Sequence, residues 1–535
     1  MNRSCLLKKE NWYENNDLRT CLRVSFNFLK LNYLWMKSMV MFFLITLCLV
    51  VNLHAQELHI GTAETDITPE LPVALMGQFY LRIADTIETP LTANVVALES
   101  RNENHSLDMA ITVSCDVVVI PTLYVQKIRS AVKKQLPDLD VTKIFLNATH
   151  THTSPVLVND AKLQYPIPTE GIFQVEAYQA LFIQRVTRAI VKAWKSRAPG
   201  SVTWGLGHAT VAQNRRLVFS SRSGDPGPFL NGTAQMYGSA NSPDFTNLEG
   251  MAEDDVNTLF FWDKRDKLIA MAIDVPCPAQ EVEGRRAVNA DYWHPVRQKL
   301  KQKFGNELCV VGWIGVAGDQ SPHVIYRKPA EERMRKLRNL TREEEIARRI
   351  VLAVEETYET VKNERQTDVQ LTHKVEIIKL PEFEISEREY LSAISERDKY
   401  AAMIEADPDA AEKVQARMSW NAGVVERYEM QLEEPHPMLE TEVHVLRIGD
   451  IVICTNPYEL FTDYGIRMQA RSKALQTFTL QLVGPGPAHY IPTEEAVKGG
   501  GYSAVPASCP VGPEGGKILV DRTVELINEI FTENE

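Results

Sequence analysis

Residues 144–155 read IFLNATHTHTSP, an apolar run that leads directly into a His-x-His pair. The run Ile144–Leu146 predicts a buried strand that ends just before the two histidines. Side chains at positions i and i+2 of an extended segment point the same way, so His150 and His152 could both reach one point in a cleft. A turn that carries two exposed histidines would satisfy the same pattern, and the tripeptide alone leaves both interpretations open.

The length and composition of the chain indicate a folded protein without a nucleic-acid partner. With 535 residues, the chain is long enough for two or three domains, or for one large enzyme domain with insertions. Hydrophobic residues make up 44% of it and charged residues 24%, which is ordinary for a folded soluble protein. The formal net charge of -12 at pH 7 argues against nucleic-acid binding, because such partners usually require a basic face.

Residues 1–55 predict targeting rather than part of the fold. Met36-Lys37-Ser38 leads into the apolar stretch Met39–Leu53, which has the length of a signal-peptide core and is short for a membrane span. Ala55 suits the position before a cleavage site. We expect translation to start at Met36, with residues 1–35 as a gene-model extension, and an N-terminal membrane anchor is the alternative. Both interpretations predict an exported protein, either secreted or periplasmic.

The cysteines do not form a disulfide framework. Cleavage after the signal peptide would leave five scattered cysteines, an odd number that cannot all pair within the chain. These are Cys115, Cys277, Cys309, Cys454 and Cys509. At least one thiol is therefore free in an exported protein, which leaves a buried core role or a metal-ligand role open.

The order of apolar segments predicts an α/β fold. Val95–Leu98, Met109–Val113 and Leu268–Ile273 read as buried strands, and helical stretches such as Tyr178–Trp194 alternate with them. This alternation predicts a mixed β-sheet core flanked by helices.

A helix-rich insertion is predicted at about residues 328–433, where charged helix formers predominate. Thr341 with Glu344, and Ser386 with Glu389, form capping-box patterns that open two helices, and Ala410–Leu432 suggests a third. These helices would pack on the sheet core or stand as a lid. After them, Glu442–Thr455 reads as a β-hairpin with a Gly449-Asp450 turn.

Three later stretches carry residue types that are common in active sites. In Val310–His323 a strand runs into Gly-Asp-Gln-Ser-Pro, which would present Ser321 at a strand end, although an ordinary Asp-Ser turn reads the same way. Asn456-Pro457 predicts a helix start with Glu459 at its third position, so Glu459 is either a capping residue or a ligand. Tyr490 and Tyr502 lie in glycine-containing loops and could simply be buried tyrosines.

Taken together, these motifs resemble those of the neutral/alkaline non-lysosomal ceramidases. The shared order is His-Thr-His-Thr-Ser-Pro, Asn214-Arg215, Gly-Asp-Gln-Ser-Pro, then Glu459, Tyr490 and Tyr502. The resemblance extends from about Gly61 to the C-terminus. It implies an exported, zinc-dependent enzyme whose α/β catalytic domain, here residues 56–535, hydrolyses the amide of N-acylsphingosine.

Carried over to the matching positions, the resemblance implies a role for each residue. One zinc ion per chain would be held by His150, Glu459 and Tyr490. His152 would lie beside the metal ion and contact the substrate amide or oxyanion. Ser321 would be the active-site serine, while Arg215 matches the arginine of the family pocket and Tyr502 would line that pocket.

The sequence departs from the family pattern at two places in the site. Where the family has a second zinc histidine, this chain reads Val275-Pro276-Cys277-Pro278-Ala279-Gln280, and the ligand position falls on Cys277. A thiolate is a good zinc ligand, so Cys277 is the expected fourth ligand and His294 the alternative. Arg216 replaces a family serine. Because the chain ends soon after Tyr502, we also expect a divergent member without the family's C-terminal immunoglobulin-like domain.

The resulting hypothesis is an exported zinc amidohydrolase acting on an N-acyl lipid, with contact to a membrane surface to reach its substrate. Bound zinc lowers the pKa of water to about 7 and polarises a carbonyl, and His152, Arg215 or Tyr502 could stabilise the oxyanion. Ser321 could attack or hold the water. The alternatives are a zinc hydrolase acting on another ester or an N-acyl glycan, and a noncatalytic surface protein that binds a glycan or lipid, which Cys277 would favour.

Overall fold

The structure of this chain, a computed structural model, describes residues 56–102, 105–158, 165–220, 232–486 and 488–532, and the predicted targeting segment lies outside them. Gln56–Glu535 belong to one compact unit. Its strands are β1 Glu57–Asp66, β2 Val73–Leu75, β3 Arg82–Ala84, β4 Thr92–Asn102, β5 His105–Cys115, β6 Ile144–Ala148, β7 Ala198–His208, β8 Gln213–Asn214, β9 Arg216–Phe219, β10 Ala234–Met236, β11 Phe245–Leu248, β12 Asp255–Asp263, β13 Leu268–Val275, β14 Cys309–Ile314, β15 Gln320–Ser321, β16 Leu371–Pro381, β17 Met438–Ile448, β18 Ile451–Thr455, β19 Glu459–Leu460, β20 Gln476–Leu480, β21 Val483–Gly484 and β22 Tyr490–Ile491. Its α-helices are α1 Thr122–Gln135, α2 Val175–Lys195, α3 Trp293–Phe304, α4 Lys328–Leu337, α5 Arg342–Val361, α6 Glu387–Ala406, α7 Ala411–Glu433, α8 Thr462–Arg471, α9 Glu494–Gly499 and α10 Pro513–Thr532.

The central sheet joins nine of the described strands in the order β14-β13-β12-β7-β1-β4-β5-β6-β21. The pairs β13–β14 and β5–β6 are parallel and the other neighbours are antiparallel, so the sheet is mixed. The three predicted buried strands lie within β4, β5 and β13, and the predicted helix Tyr178–Trp194 lies within α2. The predicted α/β fold, a mixed sheet core flanked by helices, is confirmed.

Both faces of the central sheet are covered, which explains why its strands read as continuous apolar runs. Val95 and Ala97 of β4 pack with α1 and α2 on one face. Val96 and Leu98 pack with a second sheet, of order β16-β17-β18-β20, on the other face. The far side of that second sheet packs against α10. The layers therefore follow the order helix, sheet, sheet, helix, with apolar side chains between them.

The segment 328–433, which the structure describes throughout, contains the predicted helices and one strand that the sequence analysis missed. Both capping boxes are confirmed at the starts of α5 and α6. The missed strand is β16, which pairs along its whole length with β17. Because β17 lies beyond α6 and α7 in the chain, local composition did not reveal this pairing. No described helix combines the length and the apolar content that crossing a membrane would require.

The chain around Glu459 also differs from its prediction. The hairpin of β17 and β18 is confirmed, with Gly449 in the left-handed region at φ 59°. The helix start predicted at Asn456 is wrong, because α8 begins at Thr462. Asn456 Oδ1 instead accepts a hydrogen bond from the backbone N–H of Tyr458 at 3.0 Å, which turns the chain into β19. Glu459 is therefore a strand residue and not a helix cap.

Candidate functional site

The two histidines of the opening motif meet in a turn after β6. His150 has a left-handed backbone (φ 62°), so the extended conformation expected for this stretch is wrong. The turn nevertheless brings the imidazoles together, and His150 Nε2 lies 3.1 Å from His152 Nε2. Both side chains are largely buried, and both line one cavity. The sequence therefore correctly predicted that His150 and His152 lie together, but a turn and not an extended segment brings them together.

Hydrogen bonds determine which nitrogen of each imidazole carries a proton. His150 Nδ1 lies 2.8 Å from the Val118 carbonyl oxygen, which can only accept, so Nδ1 is protonated and Nε2 presents a lone pair. Gln280 Oε1 accepts from Arg215 Nη1 at 3.0 Å, which turns the Gln280 amide NH₂ towards His152 Nε2 at 2.7 Å. Burial lowers the pKa of His152 to about 4, so it is neutral at pH 7. The lone pair of His152 Nε2 is therefore engaged by Gln280, and the lone pair of His150 Nε2 is the one that a nearby cation could bind.

Glu459 and Tyr490 lie side by side because two short strands pair in parallel. β19 pairs with β22, and the register matches Glu459 with Tyr490 directly. Glu459 Oε2 lies 3.5 Å from His150 Nε2 and 3.7 Å from Arg215 Nη2. Burial raises the pKa of Tyr490, and Glu459 and Tyr502 raise it further, so the phenol keeps its proton unless a cation binds it.

Arg215 connects the parts of the site. Its guanidinium is buried and donates to the Tyr237 hydroxyl at 2.9 Å, to the Gly318 carbonyl at 2.9 Å and to the Tyr490 hydroxyl at 3.1 Å. Burial alone would lower the pKa of Arg215, but Tyr237, Tyr490 and Glu459 raise it well above its usual value. Arg215 is therefore a fixed positive charge beside Glu459.

Ser321 is reached from Arg215 through Tyr237. β15 pairs with β8, which places Ser321 opposite Gln213, two residues before Arg215 in the chain. Ser321 is fully buried, and its Oγ lies 3.2 Å from the Tyr237 hydroxyl and 3.0 Å from His323 Nδ1. The sequence placed Ser321 correctly at a strand end, although Tyr237 was not identified because it lies in a stretch that reads as a loop.

Glu283 lies between two histidines of the site and was also missed. Its Oε2 is 3.3 Å from His152 Nδ1, without the alignment of a hydrogen bond, and its Oε1 is 3.9 Å from His323 Nε2. His152 and His323 lower the pKa of this carboxyl against the opposing effect of burial, so Glu283 is ionised. His323 could have been noticed in the sequence, two residues after Ser321, whereas Glu283 carried no signal.

A cavity of about 350 Å³ opens beside the paired histidines. Its polar end holds His150, His152, Glu459 and Tyr490, and its walls are largely apolar and aromatic. Phe79, Trp420 and Tyr502 contact one another edge-on or tilted, with ring centroids 5.3–5.9 Å apart. Tyr502 therefore lines the cavity, as expected, and Trp420 contributes a wall from α7, where no functional residue was predicted.

Cys277 does not join this group. Its side chain is fully buried in an apolar cluster with Val275, Tyr292 and Trp293, and burial raises the pKa of its thiol. Among the described residues, no set of three His, Cys, Asp or Glu side chains that includes Cys277 or His294 brings its ligand atoms within 4.8 Å of one another. This placement corrects the expected Cys277 ligand and its His294 alternative, and Gln280 is the residue of this segment that reaches His152.

The groups around His150 suit a zinc ion. Tetrahedral zinc has nitrogen and oxygen ligands at about 2.0–2.2 Å, which separates neighbouring ligand atoms by roughly 3.3 Å. The 3.5 Å between His150 Nε2 and Glu459 Oε2 is close to that spacing. Among the described residues, His150, His152 and Glu459 do not all bring their ligand atoms within 4.8 Å of one another, so His152 stays beside the site. His150 and Glu459 could therefore share an ion, and Tyr490, which is paired with Glu459 and lines the same cavity, is the predicted third ligand.

A separate set of potential ligands lies on the surface. His208, Asp254 and Asp255 bring their ligand atoms within 4.8 Å of one another, with His208 Nδ1 3.1 Å from Asp255 Oδ1. No other set of His, Cys, Asp and Glu in the described ranges meets this spacing. Exposed acidic groups often occur together without an ion, so we assign no role to this set.

The loop that carries Tyr502 is held by Arg216, the position at which the motif resemblance implied a serine. Arg216 is fully buried and makes a two-point ion pair with Glu249. It also donates to the backbone carbonyls of Tyr502 and Gly500, each at 2.7 Å. Arg216 thus links Glu249 to the backbone of the loop that carries Tyr502.

We expect Arg216→Ala to lower the free energy of unfolding by about 3–5 kcal/mol, because it leaves the largely buried Glu249 carboxylate unpaired. Arg185→Ala, which removes a partly exposed ion pair with Asp66, is the matched control and should cost under about 1 kcal/mol. Urea unfolding measures both values. Equal costs for the two variants would contradict the support assigned to Arg216.

Comparisons with solved structures agree with the fold described above. No family model matches this chain, and no curated protein matches it. The structure is similar to a neutral ceramidase from Pseudomonas aeruginosa (TM-score 0.61, 16% identity), over 89% of this chain and 75% of that one. It is also similar to a ceramidase complexed with C2 (TM-score 0.62, 14% identity), over 89% of this chain and 76% of that one. The resemblance inferred from the motifs is thus confirmed at the level of the fold, which this chain shares with the neutral ceramidases.

Proposed function

We propose that this protein is a zinc-dependent hydrolase that cleaves the amide bond of ceramide-like N-acyl lipids. The observation that carries the proposal is the convergence of His150, Glu459 and Tyr490 at the polar end of one apolar cavity, with Arg215 buried against Glu459 and Tyr490. These residues come from four separate parts of the chain, and similarity in fold to ceramidases supports the same chemistry. An amide with a long acyl chain matches this cavity, because the amide would lie at the polar end and the acyl chain against the apolar walls.

In the proposed mechanism, His150, Glu459 and Tyr490 would hold the zinc ion. When bound, zinc would lower the pKa of a water ligand and polarise the substrate carbonyl. Arg215 keeps its positive charge in the buried site and stabilises negative charge that develops on oxygen. Burial raises the pKa of Tyr502, so its hydroxyl stays protonated and can donate to the same oxygen.

His152 orients the substrate amide and can transfer a proton to or from it. Gln280 on one side and Glu283 on the other hold its ring in one orientation. Because the ring is buried and neutral, it can accept a proton from an attacking group and return it to the departing amine. The aromatic rings of Phe79 and Trp420 form a wall of the cavity that would hold the acyl chain.

The test is an assay of the purified protein on N-acylsphingosines of graded acyl length, together with short N-acyl amides, esters and N-acylated sugars. We expect zinc at about one ion per chain, release of fatty acid from the long-chain amides, and loss of activity on chelation that zinc restores. Preference for an ester or an N-acyl glycan would favour the alternative hydrolase. Binding without turnover would favour a noncatalytic protein.

We expect Trp420→Ala to raise KM for long-chain N-acyl substrates by about tenfold, with little change in kcat, because the ring provides binding surface away from the reacting atoms. Short-chain substrates should respond much less. Leu432→Ala is the control, since Leu432 lies on the same helix with 67% of its surface exposed. An equal change in KM for all chain lengths would contradict the placement of the acyl chain against Trp420.

Export and contact with a membrane surface complete the proposal. Both rest on the apolar stretch Met39–Leu53 and on the proposed lipid substrate, because residues 1–55 lie outside the described part of the chain. N-terminal sequencing of protein recovered from the periplasm or the medium tests the first. Sedimentation with neutral lipid vesicles that contain the substrate tests the second. A start at residue 1 in cytosolic protein would contradict export.

A further inference from the structure

The hydroxyl proton of Ser321 has one remaining direction in which to point. Arg215 can only donate, so the Tyr237 hydroxyl accepts from Arg215 and gives its own proton to Ser321 Oγ at 3.2 Å. The backbone N–H of His323 donates to the same oxygen, also at 3.2 Å. With both lone pairs of Ser321 Oγ engaged, its proton faces the imidazole nitrogen His323 Nδ1 at 3.0 Å.

The other nitrogen of His323 faces a carboxylate. Because Nδ1 accepts from Ser321, Nε2 carries the ring proton of neutral His323, and it lies 3.9 Å from Glu283 Oε1. Burial lowers the pKa of His323 while Glu283 raises it, and Arg215 and Arg342 lower it. Ser321, His323 and Glu283 thus stand in the order that activates serine nucleophiles, with the Glu283 carboxylate near His323 Nε2 but outside hydrogen-bond range.

We infer that Ser321, His323 and Glu283 form a nucleophile, base and carboxylate group that accepts acyl groups from activated esters without a metal ion. This activity goes beyond the proposed zinc-dependent amide hydrolysis and does not require it. Ser321 and His323 are the catalytic residues, because Ser321 bonds to the acyl carbon and His323 carries the proton. Glu283 acts through His323 and is a positioning residue, and the substrate class is an ester with a good alcohol leaving group.

The ester is cleaved in two stages, acylation of Ser321 and hydrolysis of the acyl-enzyme. Ser321 Oγ bonds to the ester carbonyl carbon as its proton passes to His323 Nδ1, and the ester C–O bond then breaks as the alcohol leaves with that proton. In the second stage a water oxygen bonds to the acyl carbon, its proton passes to His323, and Ser321 Oγ leaves and is reprotonated. Ser321 is covered by Tyr237 and His323, so Tyr237 must turn aside for the ester to enter.

A fluorophosphonate probe, which phosphonylates activated serines with loss of fluoride, tests the inference on the full-length protein after chelation. We expect one adduct per chain, located by peptide mass spectrometry at Ser321. His323→Asn is the informative variant, because its amide oxygen can accept the Ser321 hydrogen bond but cannot take the proton. Its labelling rate should fall by about 10²–10³-fold, with the unfolding temperature unchanged. The labelling rate of Glu283→Gln should fall by about tenfold.

His294→Asn is the control, since His294 is a half-buried histidine outside this group and should label as fast as the wild type. Absence of an adduct at Ser321, or wild-type labelling of His323→Asn, would overturn the inference. If the chelated protein is labelled at Ser321 but the zinc-loaded protein hydrolyses no amide, the inference about Ser321, His323 and Glu283 is supported and the zinc-dependent function is contradicted. If zinc restores amide hydrolysis but Ser321 is never labelled, the zinc-dependent function is supported and the inference about Ser321 is contradicted.

Discussion

Ser321→Ala is expected to lower kcat/KM for the N-acyl substrate by at least about 10³-fold while the zinc content stays unchanged. The substitution removes the oxygen that contacts Tyr237 and His323, and we propose that this oxygen either attacks the amide or holds the zinc-activated water in position. It also leaves the Tyr237 hydroxyl without its acceptor, which should cost about 1–3 kcal/mol of unfolding free energy. Steady-state kinetics, metal analysis and urea unfolding of the same preparation separate these effects.

Ser100→Ala is the matched control for this prediction. Ser100 is fully buried like Ser321, but its Oγ has no hydrogen-bond partner among the described residues and lies in β4 of the central sheet. We expect wild-type kinetics and a change in stability within about 0.5 kcal/mol. If Ser321→Ala retained its activity, Ser321 would have only a structural role and the proposed mechanism would lose its serine.

Glu459→Gln is expected to reduce bound zinc from about one ion per chain to less than about a tenth after dialysis, and to abolish measurable hydrolysis. The amide keeps the shape of the carboxylate but lacks the negative charge that His150 and a bound cation face. Metal analysis and titration with Co²⁺, whose visible spectrum reports its ligands, measure the loss without relying on activity. Glu459→Gln with normal zinc and normal turnover would exclude Glu459 as a ligand.

Cys277→Ala is the control for Glu459→Gln, and it also tests the corrected position of this cysteine. Because the thiol lies in an apolar cluster, the variant should keep its zinc and lose about 1–2 kcal/mol of stability to the small cavity it leaves. A loss of zinc equal to that of Glu459→Gln would return Cys277 to the ligand set. Unchanged binding of lipid by Glu459→Gln, without turnover in either protein, would favour the noncatalytic alternative.

Several parts of the site could be predicted because their signals are local. The His-x-His motif, the strand-end serine and the two late tyrosines each stand next to an apolar run or a glycine turn, so pattern and resemblance identified them. Cys277 shows where this approach fails. A position within a motif indicates which residues lie nearby but not which one points inward, and the turn after β13 sends Cys277 into the core and Gln280 to His152.

By itself, the sequence determined several strands of the central sheet, the two capping boxes and the α/β class, because hydrophobic period and capping depend on residues a few positions apart. The tertiary structure alone decided that Glu459 pairs with Tyr490, that β16 joins a second sheet, and that Tyr237 and Glu283 reach Ser321 and His152. These contacts join segments far apart in the chain. Their partners are selected by backbone pairing and close packing of the whole domain, which no short window of sequence contains.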